Sequence, residues 1–497
     1  MGSGFSRRDF LAGSAGLASA SFVPLIGALQ ARHAVAQSRV SLHVAGPYGP
    51  LQPVADLATG LPLIMLPQGF QYRTGSWSGD SMSNRSATPQ AHDGMGVIAG
   101  SRRGGEIDVT LVRNHERALA IPIGAPARYD TVMPKGEGLA PGGGTTTLRF
   151  RGRRWIGVEP SLGGTIYNCA GGVTPWGTWL SCEETVMDFT DQGGGRHGYV
   201  FEVRRNPRKT TGRPIVDMGR MLHEAVAVDP ATRIAYLTED HPRNSGFYRF
   251  IPDDASGRAG SYETGGRLQA ARVAGRANAD LAAPLLGNVH RLEWIGIEQP
   301  DADPGPAPAA LAADGSASGP FLEAWSKGGL RLSRAEGICR HGDRFFLVDT
   351  EAGFSAEGRR GHGEGAVWEY DPSAQTLRAI FVAASQQVGD NIDNITVSPR
   401  GGMLLCENGD PVTDAYGPGT RLLGLTAGGE SYSFAKNRMV LTQEQLAAAG
   451  KRVAPGDYRG QEWAGACFDP WGEVLFVNIQ VPGITFAIWG PWERGNL

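Results

Sequence analysis

The chain is 497 residues long and sets 47 Lys and Arg against 50 Asp and Glu, a formal charge of −3. That balance offers no basic field for nucleic acid, which is excluded as an expected partner. Five cysteines, an odd number with no C-x-x-C pair, argue against a disulfide framework, and 72 glycines among short alternating apolar runs argue against a helical protein.

The first element is a targeting segment. Arg7 and Arg8 stand in S-R-R-x-F-L ahead of a weakly apolar Gly/Ala/Ser stretch and an A-x-A site at Ala34–Ala36. Residues 1–36 therefore read as a twin-arginine export signal, which implies the twin-arginine machinery as a partner and a periplasmic or secreted location. No later segment has some 20 uninterrupted apolar residues, so no membrane span is expected in residues 37–497, which read as a single domain. This export route often serves proteins that load a cofactor in the cytoplasm.

Beyond the signal, apolar strands alternate with turns rich in Gly, Pro, Asp and Asn, the pattern of an all-β fold. Besides five hairpins that share one plan, an earlier pair, His92 and Asp93 answered by Asn114–Glu116, offers a sixth. The first of the five, NCAGGVTPWGTWLSCEET, starts at Asn168 and Cys169 and ends at Glu183 and Glu184. Three more follow: Glu224 is answered by Glu239, Glu336 by Asp349 or Glu351, and Asp393 by Glu407. The last pairs Glu462 with Asn478 or Gln480. Each hairpin reads polar residue, short strand, tight turn, apolar strand, second polar residue, so both polar ends return to one rim. Recurrence of this plan predicts a β-propeller of six blades, or seven, with an acidic central channel.

Between these units, RRNPRKTTGR from Arg204 reads as a solvated hairpin loop and the glycine-rich GGGTTTL at Gly142–Leu148 as a turn. Residues 299–320 are a Pro/Ala/Gly/Asp-rich surface insertion. LTQEQLAAAG predicts a helix with a capping box of Thr442 and Gln445 and a stop at Gly450. Cys182, Cys339, Cys406 and Cys467 lie in apolar strands and read as packing residues.

The rim chemistry is that of a metal centre. Cys169, Glu183, Glu184, Glu224, Glu336, Asp393, Glu407 and Glu462 are the candidate ligands. So many carboxylates around one channel repel each other unless cations neutralise them, and oxygen donors suit calcium. A thiolate at Cys169 has no use for calcium and implies a softer metal such as iron. His115 and His223 adjoin acidic residues as further candidates or as structural groups. Arg334, two residues before Glu336 on the same strand face, is placed either to clamp an anion or to form a salt bridge with the rim. The G-x-S-x-G, H-E-x-x-H, Walker and Rossmann signatures are missing.

The motifs HDGM, RNHE, NCAGGVTPWGTWLSCEE, HEAVAVDP, RAEG, DNITVSP and FVNIQVPG, spread over about Leu61 to Trp492, closely resemble those of the PhoX-type alkaline phosphatases. The resemblance implies a propeller that carries iron and calcium ions joined by an oxo bridge and hydrolyses phosphate monoesters. Carried over, Cys169 matches the thiolate ligand of the irons and Glu183 or Glu184 an adjacent iron ligand. Glu224 and Glu336 match acidic cluster ligands, and Arg334 matches an arginine that holds the substrate phosphate. Asp393, Glu407 and Glu462 are assigned from the repeat alone. The competing readings are a calcium-dependent lactonase or esterase on the same architecture, which has no need of a thiolate, and a non-catalytic ligand-binding propeller.

Overall fold

The computed structural model describes residues 40–134, 139–311 and 315–497. The predicted export signal lies outside them. Among the described residues no helix is long and apolar enough to cross a membrane.

Antiparallel sheets of successive strands stand around a central axis as six blades among the described residues. Blade 1 is His92–Arg103, Glu106–His115, Gly143–Arg151 and Arg154–Thr165. Blade 2 has three strands, Asn168–Val173, Trp179–Glu183 and Val200–Val203. Blade 3 runs from His223–Val228 through Ala235–Glu239 and Phe247–Pro252 to Gly266–Val273. Blade 4 is Ala335–His341, Arg344–Asp349, Ala366–Asp371 and Thr376–Val382. Strand Val289–Gly296 pairs with the outer strands of blades 3 and 4 and fuses them into one sheet of nine strands.

Blade 5 is Ile392–Val397, Met403–Glu407, Arg421–Leu425 and Ser431–Asn437, extended by the early strand Ile64–Pro67. Blade 6 takes Trp463–Phe468, Leu475–Ile479 and Ile484–Trp489 from the end of the chain and Gln71–Gly75 from its early part. That exchange closes the ring.

The core is divided in the same way. Six apolar clusters among the described residues each fill the space between two successive blades. Phe150, Phe476 and Trp489 lie between blades 6 and 1, and Tyr236, Phe345 and Tyr370 between blades 3 and 4. Strands buried on both faces read as near-continuous apolar runs, as LFVNI and ITFAIW do. Each fully buried Leu, Ile or Phe in these layers contributes about 1.5–3 kcal/mol.

Helix Gln443–Ala449 carries the predicted capping box, and Gly450 ends it in the left-handed conformation at φ 64°. All five cysteines are free, and Cys182 and Cys406 sit in the inter-blade cores. The run from Arg204 is an exposed loop, with Asn206 Oδ1 accepting from Arg208 N at 3.1 Å. GGGTTTL is not a turn: Gly143–Arg151 is a buried strand, and a Cβ on Gly144, at φ 137°, would meet Leu162 O at 2.2 Å. The glycines there serve close strand packing. The 299–320 segment is tied down, as Asp301 Oδ1 accepts from Tyr199 Oη at 2.7 Å and Asp303 pairs with buried Arg220 at 2.9 Å.

Candidate metal centre

All six inner strands begin at the same mouth of the channel, and each breaks register after its first pair or, in blade 6, its second. His92 faces His115, Asn168 faces Glu183, His223 faces Glu239, Ala335 faces Asp349, Ile392 faces Glu407 and Ala464 faces Asn478; a bulge follows in every case. A bulge inserts an extra residue and re-aims its side chain. The residue at that position is Asp93, Cys169, Glu224, Glu336 and Asp393 in blades 1 to 5, and Gly465 in blade 6. The next residue is Gly or Ala in every blade except blade 5, which has Asn394, because the inner strands nearly touch: a Cβ on Gly94 would lie 2.5 Å from Ala170 Cα, and one on Gly337 2.9 Å from Asn394 Cα.

The result is three interlocking groups of ligand atoms, each within 4.8 Å: Asp93, Glu116 and Cys169; Cys169, Glu184 and Glu224; Glu224, Glu336 and Asp393. Cys169 and Glu224 each belong to two groups, so the three form one continuous ladder. Gln480 Nε2 donates to Asp93 Oδ2 at 2.9 Å and to Glu116 Oε2 at 2.8 Å, and Asn408 Nδ2 donates to Asp393 Oδ2 at 2.8 Å. Glu462 lies near enough to feel the charges of Asp393, Asp93, Glu116 and Glu224.

Two candidates fall elsewhere. Glu183 and Glu407 are the strand-end partners, and alternate residues of a strand point to opposite faces. Both carboxylates turn away from the channel and are saturated. Glu183 accepts from Ile166 N at 2.9 Å, Gly198 N at 2.8 Å and the His197 ring at 2.6 Å. Glu407 binds Arg421, with Nε 2.9 Å from Oε2, and the backbone N of Asp390 at 3.0 Å. On the second strands the channel position comes one residue later, at Glu116, Glu184 and Asp240. The histidines are structural as well. His223 Nε2 lies 2.8 Å from Gly219 O, and burial lowers its pKa to about 4. His115 is held by Gln90 O at 2.9 Å and Thr146 Oγ1 at 3.0 Å.

The electrostatics are those of charge packed without enough counter-charge. Burial is the largest cause that raises the pKa of Asp93, Glu184, Glu224, Glu336, Asp393 and Glu462, and it brings Glu116 to about 7. Neighbours add to it: Glu116 raises Asp93, Asp240 and Glu224 raise Glu184, and Asp393 raises Glu224. The Cys169 thiol is pushed well above its usual range by burial and then by Asp93 and Glu224. Buried Glu224 Oε1 has no hydrogen-bond partner among the described residues. An orphaned oxygen on a carboxylate that belongs to two groups, amid oxygen donors and one sulfur, fits bound cations.

Arg334 sits at the lip. Its Nε lies 3.0 Å from Asp240 Oδ1, one Nη2 contact reaches Glu336 Oε1 at 2.8 Å, and Nη1 is 3.9 Å from Glu351 Oε1. The salt bridge to the rim is therefore present, and the side chain remains 21% exposed.

Fold and site together define a β-propeller whose axial mouth concentrates carboxylates and a thiol beneath the lip residue Arg334. The sequence model of the family described as alkaline phosphatase PhoX matches residues 46–161 and 157–483, and the chain belongs to that family of phosphatases. Among solved structures, PhoX of Pseudomonas fluorescens in complex with vanadate, a transition state analogue, aligns over 92% of this chain and 99% of its own, with a TM-score of 0.59 and 17% identity. That likeness supports the propeller fold. Virginiamycin B lyase of Staphylococcus aureus (TM-score 0.33, 11% identity, 84% and 99% covered) and a gluconolactonase of Xanthomonas campestris (0.32, 11%, 82% and 99%) are too distant to carry an argument. No curated protein matches the chain.

Proposed function

We propose that this phosphatase hydrolyses phosphate monoesters outside the cytoplasm with a mixed cluster of iron and calcium ions. The observation that carries the reading is the ladder in which Cys169 and Glu224 each join two groups of ligand atoms. Cys169, Asp93, Glu116 and Glu184 would hold the softer metal end, and Glu224, Glu336, Asp393 and Glu462 the oxygen-only end. Bound iron and calcium supply positive charge that draws the phosphate oxygens and makes phosphorus electrophilic.

The protein's own part is placement. Gln480 orients Asp93 and Glu116 together, and Asn408 orients Asp393. Arg334 presents its guanidinium edge at the mouth, where the long 3.9 Å contact of Nη1 with Glu351 leaves that nitrogen able to donate to a phosphate oxygen. Asp240 and Glu336 fix the other edge, so the clamp is held before substrate arrives. A calcium-only lactonase or a ligand-binding propeller gives Cys169 no role.

Elemental analysis of chelator-free protein, with a monoester assay, tests this. Iron and calcium together, both lowered with activity in Cys169→Ser, are expected. Calcium alone, with full activity in that variant, would overturn the iron assignment. Export through the twin-arginine machinery predicts that Arg7→Lys with Arg8→Lys keeps the enzyme in the cytoplasm.

A further inference from the structure

A phosphate monoester releases its alcohol as an alkoxide unless a proton is delivered, and no carboxylate of the ladder is free for that work. The loop that follows Asp349 brings another group to the lip. Gly363 N donates to Glu351 O at 2.9 Å and Gly361 N to Gly353 O at 2.8 Å, folding the loop back on itself. Ser333 Oγ donates to Gly361 O at 3.0 Å, and Arg360 Nε reaches Asp280 Oδ2 at 3.0 Å. His362 is thus pinned beside the residues that lead into Arg334.

Glu351 lies between the two. Its Oε1 is 3.9 Å from Arg334 Nη1, and its Oε2 is 3.6 Å from His362 Nδ1. Cation, carboxylate and imidazole stand in a row, with 21%, 27% and 29% of their side chains exposed. Other histidines near the mouth are occupied or turned away. His92 and His115 are buried and touch Arg113, His197 is wedged between Glu183 and Asp130, and His241 contacts Pro242 O.

We propose that His362, oriented by Glu351, is the proton donor to the leaving oxygen of the ester bound at Arg334. Glu351 Oε2, 3.6 Å from Nδ1, attracts the proton on that nitrogen by charge and so turns Nε2–H toward the substrate. As the oxygen of a water molecule bonds to phosphorus and the bond between phosphorus and the leaving oxygen breaks, the electron pair passes to that leaving oxygen, which takes the Nε2 proton of the imidazolium, and the attacking water gives up a proton to solvent. The neutral imidazole is reprotonated from water.

The inference rests on the monoesterase reading, and the test separates the two. Turnover of glycerol phosphate and of p-nitrophenyl phosphate is measured with metal-loaded wild type, His362→Gln and Glu351→Gln. An alkoxide needs the proton and p-nitrophenolate does not, so His362→Gln is expected to lose about 100-fold on glycerol phosphate and little on p-nitrophenyl phosphate. Glu351→Gln, a positioning variant, should shift the ratio the same way by less. Added imidazole should restore His362→Ala on glycerol phosphate. Equal losses on both esters, or no loss on glycerol phosphate, would overturn the role of His362, whereas a wild type inactive on both would overturn the monoesterase reading instead.

Discussion

Glu116 gives the sharpest test of the idea that the rim is built for cations. In metal-stripped protein the desolvation of this half-buried carboxyl raises its pKa to about 7 against 4.5 for the free group. A folded-state value above the unfolded one means that the folded protein binds the extra proton, so the penalty is absent below pH 4.5, grows between 4.5 and 7, and is fully present above 7. The rise corresponds to about 3 kcal/mol. Glu116→Gln removes the penalty while keeping the amide's hydrogen-bonding capacity. At pH 8 the stripped variant should therefore be more stable than stripped wild type by about that amount, or roughly 3 °C in Tm at ~2.1 cal/mol/K per residue. At pH 4 the two should coincide. With metals restored the order should reverse, because the variant has lost a ligand and the binding energy linked to folding. Scanning calorimetry of both proteins, stripped and loaded, at the two pH values reads the four differences from eight transitions. A stripped variant that is less stable at pH 8 would refute the argument, since it would mean the carboxylate stabilises the fold without any cation.

Two further outcomes follow from the packing. Arg421→Met leaves Glu407 buried without its cation and should cost about 3–5 kcal/mol in urea unfolding, with Glu407→Gln added in the same chain recovering much of the loss. Gly337→Ala places a methyl group 2.9 Å from both Asn394 Cα and Asp393 O, which should cost about 1–3 kcal/mol and lower metal retention by displacing Asp393.

Much of the architecture was legible because a propeller repeats itself. The hairpins with polar ends could be lined up by eye, and Cys169, Glu184, Glu224, Glu336 and Asp393 all reach the channel. The two candidates that turn away from the channel share one cause. Glu183 and Glu407 stand in the polar slot of their hairpins, yet the channel side of the second strand is one residue further on, and a one-residue shift reverses the face of a strand. Glu183 and Glu184 are adjacent and chemically alike, so nothing in composition separates them. The six bulges carry no residue signature of their own. Asp93 and Glu116 were visible as the ends of a possible sixth hairpin but not as ligands, and Asp240 is recognisable only through its contact with Arg334. Blade 6 departs from the pattern, since Gly465 occupies its inner position and Glu462 and Gln480 come from either side of it. GGGTTTL misled because glycine usually marks a turn, whereas here it admits a neighbouring strand.

The pairing of Gln71 with Trp489 makes the ring a clasp whose two halves are made at opposite ends of synthesis. Asp93 belongs to the first blade, and Glu462 and Gln480 to the last, so the cup that faces the cations is not whole until the clasp shuts. Loading and closure are then one event seen from two sides. A cation gathered early would hold the open blades together, and a chain left empty would strain at the clasp within blade 6. Metal starvation should show itself there first, as faster backbone hydrogen exchange along Gln71–Gly75 and Ile484–Trp489 than in the fused sheet of blades 3 and 4.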